Sequence, residues 1–432
     1  MGILFYYLGI WKMNPEMPSK PIKSVSPKRF LIVFILFVAI FTAYLDRVNT
    51  SIFSADDKFL LEMGIFNSPL HTGLLMSVFL AAYGISSFLL GSVGDMWGLR
   101  KAMLTAILLW CISLFIGGLA TTFSVILISR VLLGIGEGWY YPMQNGIVKN
   151  WFPENERGRA NAIWVIGQSV APAVAMPFFT YIVGAHGWRE AYHISFALTL
   201  LPLCLMWFFL KDAPPEYAGT EKVYNKKETS KNNAPELPLA HRLSSFIFNY
   251  QYWILVYWYM TMTAIYWGLV SWLPVYLKSE RGFSWHEMGW IASLPFILTI
   301  FTKTLNGWLN DKYKRSAPLL FLALFLGAIF IYLAVTVTDK YNSAILLSFA
   351  FGATSMATSV AWTLLQKIVP QYSISTSSGV MNGIASFVSS IMPVAIGYII
   401  SITSSYASGM YLLVCSGFVA SLVVLPLILK KY

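Results

Sequence analysis

Long apolar stretches alternate with short polar segments along most of the chain. Each apolar stretch is about 20 residues long, the length that a helix needs to cross roughly 30 Å of hydrocarbon. Several contain glycine or proline, which membrane-spanning helices tolerate. The pattern therefore predicts an all-α polytopic membrane protein with twelve transmembrane helices. Their predicted positions are about 30–53, 71–92, 98–119, 122–146, 158–184, 190–210, 247–277, 287–310, 317–337, 342–366, 377–402 and 408–429.

A repeated loop sequence indicates that the predicted helices form two sets of six. GSVGDMWGLRK at residues 91–101 joins the second and third helices, and GWLNDKYKR at 307–315 joins the eighth and ninth. A polar stretch at residues 211–242 separates the two sets, and its composition predicts a solvated linker. We expect an N-terminal cytoplasmic segment at 1–28, a first six-helix half at 29–211, a cytoplasmic linker at 212–245 and a second half at 246–432.

Composition and charge distribution agree with a membrane protein. The chain is 57% hydrophobic and only 11% charged, whereas a soluble domain needs more charge on its surface. The net charge of +11 could suggest nucleic acid, but its placement favours a topological origin. With both termini in the cytoplasm, as the positive-inside rule predicts, external loops hold few of the 30 Lys and Arg residues. The external ones are Lys58, Arg189, Lys278, Arg281 and Lys340. We therefore expect no nucleic-acid partner.

The two loop sequences resemble the signature loop of the major facilitator superfamily, and the resemblance extends over nearly the whole chain beyond residue 28. The first copy differs in having Met96 where a basic residue is usual. The resemblance implies two pseudo-symmetric six-helix halves that rock about a central site. It also implies that a contact between Asp95 and Arg100 forms in one conformation and is released in the other. The implied conformational loop residues are Gly91, Asp95, Arg100 and Asp311.

Three further sequences resemble a narrower family. These are YLDRVN at 44–49, RVLLGIGEG at 130–138 and WLPVYL at 272–277. Together and in this order they resemble the anion:cation symporter family, which includes sialin and the bacterial galactonate and hexuronate transporters. The resemblance implies a proton-coupled carrier of small organic anions in the bacterial inner membrane. It further implies that the matching acids couple protons and that the arginine matching Arg130 pairs with the aspartate matching Asp46.

Five charged residues lie more than one turn from either end of a predicted helix. Each costs at least about 2.5–3.5 kcal/mol on insertion scales, so each is expected to face a cavity or a partner. Lys303 lies about two turns before Asp311, and we interpret it as a side chain that reaches towards the cytoplasmic interface. The five residues are Asp46, Arg47, Arg130, Glu137 and Lys303.

Arg47 is expected to bind the substrate, because a guanidinium can hold a carboxylate through two parallel hydrogen bonds. The alternative is that Arg47 only neutralises Asp46 or Glu137. These two acids are the candidates for proton coupling, because burial and a nearby arginine act on a carboxylate in opposite directions. Arg130 and Glu137 lie two turns apart on one helix face, about 10 Å along the axis, so both can face one cavity. A static buried network is the alternative for all of these charges.

Polar and aromatic residues inside apolar helices complete the predicted substrate site. Each alone is typical of an interhelical hydrogen bond or a core aromatic. Together they match positions that line the sugar-acid site of the resembling transporters, where hydroxyl and amide groups would bind the substrate and a tryptophan would form a wall. The substrate-binding candidates, besides Arg47, are Tyr83, Gln168, Ser359, Trp362 and Asn382.

The function predicted is secondary active transport of a small organic anion, a sugar acid or another carboxylate, by proton symport with alternating access. An exporter or exchanger of organic anions with the same fold, including a carboxylate siderophore transporter, is left open. A membrane-embedded enzyme would need a His/Asp or Ser/His constellation, and none is visible in the sequence. The presence of both Asp46 and Glu137 argues against a sensor that does not transport. No cofactor or metal motif is visible. The expected partners are the anion, protons and the lipid bilayer, and the carrier is expected to be a monomer. The sequence leaves open the identity of the substrate, the direction of transport and the coupling ion.

Overall fold

A computed structural model describes residues 28–90, 93–214 and 239–432 of the protein. All regular secondary structure within these ranges is helical. Gly91, most of the predicted N-terminal segment and most of the predicted linker lie outside the described residues, and so does the side chain of Asp95.

Twelve of the described helices are long and apolar enough to cross a membrane, and we number them α1 to α12 in chain order. The predicted fold class is confirmed. One helix end differs: the hydrophobic pattern predicts that α4 ends near residue 146, whereas the helix continues to residue 151. The pattern detects the apolar part of a helix, and the last turn of α4 is polar. The helices are Arg29–Phe53, Pro69–Leu90, Leu99–Gly118, Phe123–Trp151, Glu156–His186, Trp188–Phe209, Tyr250–Glu280, Trp285–Tyr313, Ala317–Thr336, Lys340–Ile368, Thr376–Thr403 and Tyr406–Leu429.

The helices pack as two sets of six with matching neighbours. In the first set α1 lies against α5 and α6, α2 against α4, and α3 against α6. In the second set α7 lies against α11 and α12, α8 against α10, and α9 against α12. Each contact of the first set thus recurs six helices later, as the repeated loop predicts. Two equivalent seams, α2 with α11 and α5 with α8, join the halves.

One seam depends on glycines at the helix ends away from the linker. A Cβ atom on Gly397 of α11 would lie 2.3 Å from the carbonyl oxygen of Pro69 of α2. A Cβ atom on Gly73 of α2 would lie 2.4 Å from the carbonyl oxygen of Pro393 of α11. The two backbones therefore meet closely on this side, as small residues allow between membrane helices.

Polar contacts join the halves on the same side. Lys278 at the end of α7 donates a 2.8 Å hydrogen bond to the carbonyl oxygen of Ala55 and forms a 2.8 Å ion pair with Asp57, both in the loop after α1. Across the other seam, the Trp285 indole donates a 2.8 Å hydrogen bond to the carbonyl oxygen of Thr180. In this structure the two halves are therefore held together at the helix ends away from the linker.

We expect Gly397→Ala to destabilise the protein, because the added methyl group would overlap the α2 backbone. The apparent melting temperature in detergent should fall by roughly 5 °C. Gly379→Ala on the same helix is the matched control, since no atom lies within 4 Å of a Cβ atom there and alanine favours helices over glycine. Equal melting temperatures for the two variants would contradict a tight α2–α11 seam.

Candidate functional site

Glycines in α4 bring this helix close to α2 at the centre of the first half. A Cβ atom on Gly134 would lie 2.4 Å from the carbonyl oxygen of Phe79, and one on Gly138 would lie 2.4 Å from that of Tyr83. Glu137 stands between these contacts and is buried. The close approach therefore fixes the carboxylate of Glu137 beside the side chains of α2.

A buried ion pair joins α1 to α4 at this point. The Nε of Arg47 donates a short hydrogen bond to Oε2 of Glu137, and the two side chains are only 4% and 1% exposed. Oε1 of Glu137 is buried and has no hydrogen-bond partner among the described residues. The guanidinium lies 4.4 Å from the ring centre of Tyr44 and 4.7 Å from that of Tyr83. Trp267 of the second half lies 5.9 Å away. Of the two partners expected for Arg47, the structure therefore shows Glu137.

Asp46 faces a different set of helices from Arg47, because consecutive residues project about 100° apart around a helix. Its Oδ2 accepts a 2.9 Å hydrogen bond from the indole of Trp110 on α3 and a 3.3 Å bond from the hydroxyl of Thr199 on α6. The carboxylate of Asp46 is thus held by neutral donors.

Arg130 binds α1 mainly through polar groups next to this carboxylate. One guanidinium nitrogen donates to the backbone oxygen of Asp46 at 3.2 Å. The other donates to Oδ1 of Asn49 at 2.9 Å and to the hydroxyl of Tyr192 at 3.0 Å. The pairing implied by the family resemblance thus occurs through the backbone of Asp46 instead of its carboxylate. Arg130 and Glu137 contribute to separate clusters, because each binds a different face of α1.

Gln168 is connected to the central site through Tyr141, an aromatic residue that is not among the site residues predicted from the sequence. Its amide donates a 3.0 Å hydrogen bond to the hydroxyl of Tyr141. Tyr141 lies one turn after Glu137 on α4, and its ring stands edge-on to Trp164 at 5.4 Å. The amide of Gln168 is therefore connected to the same face of α4 as the ion pair.

The second half contributes aromatic walls. Trp362 of α10 stands edge-on to Tyr259 of α7 at 5.2 Å. Trp267, also on α7, is an aromatic residue of the second half that lies near the Arg47 guanidinium.

The remaining predicted residues lie further from the ion pair. Ser359 is exposed one turn before Trp362, and Asn382 is half-buried on α11. Neither side chain has a hydrogen-bond partner within the described ranges. Arg100 donates a 2.7 Å bond to the carbonyl oxygen of Trp207, and Asp311 is exposed near the end of α8.

Tyrosines and one tryptophan around Arg47 are the main residues absent from the predicted site. A signal for them exists in the sequence: Tyr141 follows Glu137 by four residues, and Tyr259 and Tyr266 are seven apart, spacings that share one helix face. The missed residues are Tyr44, Tyr141, Tyr259, Tyr266 and Trp267.

An apolar cavity of about 660 Å³ lies elsewhere, along the α5–α8 seam. Val174, Phe178 and Ile297 are among its lining residues, and it holds none of the predicted site residues. In the described part of the chain, no group of three or more His, Cys, Asp or Glu residues could hold a metal ion.

The chain belongs to the Major Facilitator Superfamily, whose family model matches residues 30–393. Over 398 residues it is 32% identical to the "Probable sulfoacetate transporter SauU" of Cupriavidus necator, covering 88% of this chain and 89% of that protein. It is 28% identical to the hexuronate transporter of Bacillus subtilis over 410 residues, covering 90% and 92% of the two chains. The family and these relatives are transporters, so the protein is an integral membrane transporter and not an enzyme.

Solved structures agree with this fold. A bacterial homologue of the human lysosomal transporter Spinster, in an inward-facing and occupied conformation, superposes with a TM-score of 0.75 at 18% identity, covering 95% of this chain and 98% of that one. A D-xylose–proton symporter superposes with a TM-score of 0.72 at 16% identity, covering 91% and 97%. At such low identity these similarities show the fold alone.

Arg130→Lys should destabilise the protein, because a lysine cannot reach the three acceptors that the guanidinium binds. We expect a loss of about 3 kcal/mol, against about 1 kcal/mol for Tyr192→Phe, which removes one acceptor. Thermal unfolding in detergent measures both. An unchanged melting temperature with transport abolished would contradict this anchoring role and assign Arg130 to the transport cycle itself.

Proposed function

We propose that the protein is a secondary active transporter that carries a small organic acid together with a proton by alternating access. Three relatives support the substrate class by their names: sulfoacetate, hexuronate and galactarate/D-glucarate transporters, the last at 24% identity over 425 residues in Escherichia coli. The observation that carries the proposal is the buried ion pair of Arg47 with Glu137.

The ion pair supports coupling of proton and anion transport because the Glu137 carboxylate and a substrate carboxylate compete for one guanidinium, that of Arg47. A substrate carboxylate can take the place of Glu137 on Arg47, since both are planar groups that accept parallel hydrogen bonds. That exchange would leave the Glu137 carboxylate buried without a counter-ion, which is costly. Uptake of a proton by Glu137 removes this cost and releases Arg47 for the substrate. Proton binding and anion binding thereby favour each other.

The neutral part of the site suits a polyhydroxylated acid. Tyr83 lies beside Arg47, and Gln168 with its partner Tyr141 offers further hydroxyl and amide groups. Trp362 supplies an apolar face for the carbon chain of the substrate. We assign the exposed Ser359 and the half-buried Asn382 to hydroxyl groups of the substrate in the state where the second half has closed on it.

Alternating access would exchange the contacts on the two sides of the membrane. We assign the linker side to the cytoplasm because most Lys and Arg residues lie there. Release of the contacts at Lys278 would open the other side, while Gly91, Asp95, Arg100 and Asp311 would form the contacts of the closed cytoplasmic side. The central site draws its residues from both halves of one chain, so a monomer suffices, in a bacterial inner membrane.

Arg47→Lys should lower the affinity for a six-carbon sugar acid at least roughly tenfold, because lysine keeps the charge but loses the bidentate geometry. Uptake into proteoliposomes under an imposed pH gradient provides the measurement. Arg189→Lys is the matched control, since Arg189 pairs with Glu62 at 2.5 Å on an exposed surface. Unchanged uptake by Arg47→Lys would mean that Arg47 only balances the charge of Glu137.

Glu137→Gln should separate two modes of transport, because glutamine resembles the protonated acid and cannot titrate. Concentrative uptake driven by a pH gradient should disappear. Exchange of labelled for unlabelled substrate should persist, because it needs only the loaded carrier to reorient. Loss of exchange with retention of proton-driven uptake would move the proton site to Asp46.

Two checks accompany this variant. Glu62→Gln removes an exposed carboxylate and should leave both transport modes unchanged. Substrate binding to Glu137→Gln, measured by intrinsic tryptophan fluorescence, establishes that the variant is folded before transport is compared.

A further inference from the structure

Lys303 is a charged residue inside a membrane helix that the proposed cycle does not use. It lies half-buried in α8, on the face that also carries the buried residues Phe296, Thr299 and Asn306. Within residues 28–90, 93–214 and 239–432, its ammonium has no ion-pair or hydrogen-bond partner. Asp311, the nearest acid on the same helix, is eight residues further on, about 12 Å along the axis.

The charges deep in the two halves leave this ammonium uncompensated. The acids in the centre of the first half are already engaged, Glu137 by Arg47 and Asp46 by neutral donors. The acids of the second half lie at helix ends or in loops, at Glu280, Glu287, Asp311 and Asp339. An unpaired cation within a membrane helix is costly and indicates a partner. An acidic group of a bound substrate is a partner that would match it.

Ring contacts connect the surroundings of Arg47 to α8, the helix that carries Lys303. Trp267, near Arg47, stands next to Tyr266, whose ring centre is 4.8 Å from that of Phe351. Phe351 lies 5.0 Å from Phe296 of α8. Lys303 follows Phe296 by seven residues, two turns or about 10 Å towards the linker side.

The same region of α8 meets the predicted substrate face of α10. The hydroxyl groups of Thr299 and Ser355 are 3.3 Å apart. Both helices run from the far side to the linker side, and one turn further along them stand Lys303 and Ser359. Lys303 therefore lies in α8 at a depth comparable with that of the exposed Ser359 in α10.

We propose that Lys303, instead of reaching towards the cytoplasmic interface as expected from the sequence, binds the second acidic group of a doubly charged organic acid whose first carboxylate binds Arg47. The inference rests on the proposed function and narrows its substrate class to dianions with well-separated acidic groups, such as six-carbon sugar diacids. A monoacid of the same length leaves Lys303 without a counter-ion and so binds more weakly. Lys303 is in this sense a specificity-determining residue.

Asn306 supports this assignment from the next turn of α8. Its side chain is 1% exposed, and neither amide atom has a hydrogen-bond partner among the described residues. A buried amide without partners costs about 1–3 kcal/mol. Its N–H groups can donate to an acidic group held by Lys303, which would satisfy them when the substrate is bound.

The test compares a six-carbon sugar diacid with the corresponding monoacid in binding and in proteoliposome uptake. Lys303→Gln should weaken diacid binding about tenfold and change monoacid binding less than about threefold. Lys303→Arg should retain the preference for the diacid. Asn306→Asp, which gives Lys303 a fixed counter-ion, should weaken diacid binding as Lys303→Gln does. Lys312→Gln, an exposed lysine on the same helix, is the control and should change neither.

Monoacid binding by each variant verifies that it is folded. Equal effects of Lys303→Gln on the two acids, or no effect on either, would overturn the inference while leaving the proposed function intact. A parent protein that binds and carries neither acid would remove the proposed function, and the inference with it.

Discussion

The buried contact between Arg47 and Glu137 constrains the rest of the first half. Removing two charges from water costs several kcal/mol for each ion, and only good geometry and additional hydrogen bonds offset that cost. The glycines of α4 contribute to the geometry, because Gly134 and Gly138 let this helix approach α2, whose Tyr83 ring lies 4.7 Å from the guanidinium. The rings of Tyr44 and Tyr83 cover the rest of the guanidinium. Either charge alone would be a buried ion without compensation.

The two halves have the same helix packing, but charged and aromatic side chains are distributed unequally between them. The first half holds four of the five charges predicted inside helices, whereas the second presents mainly aromatic rings, hydroxyl groups and the lone ammonium of Lys303. Trp267 of α7 lies 5.9 Å from the Arg47 guanidinium of the first half. Movement of the second half therefore alters the surroundings of Arg47 directly. In the proposed cycle, movement of the two halves relative to each other would let the same anion site face either side of a membrane.

The sequence predicted the helices well because hydrophobic length is a local property, and the repeated loop predicted the pairing of halves. It predicted that Asp46, Arg47, Arg130 and Glu137 face a cavity or a partner, because a charge within a membrane helix is costly, and the structure buries all four. It could not assign the partners. Asp46 and Arg47 are adjacent in the chain yet face different helices, and only the rotation of α1 against its neighbours decides which acid meets the arginine. Tyr141 was missed because a tyrosine in an apolar helix carries no signal until its spacing from Glu137 is considered.

In the proposed cycle, the charge of the central pair is the same in the two states that must reorient. The empty carrier has Arg47 paired with ionised Glu137, and the loaded carrier has Arg47 paired with a substrate carboxylate while Glu137 is protonated. The two forbidden states, proton without anion and anion without proton, each leave one buried charge uncompensated. The energetic penalty for a buried unpaired charge is several kcal/mol, so these states would be rare by factors of a hundred or more. Strict coupling then needs no separate gate, because electrostatics alone excludes the leak states. A second acidic group on the substrate would add a further buried negative charge to the loaded carrier, and the ammonium of Lys303 in the second half could compensate that charge.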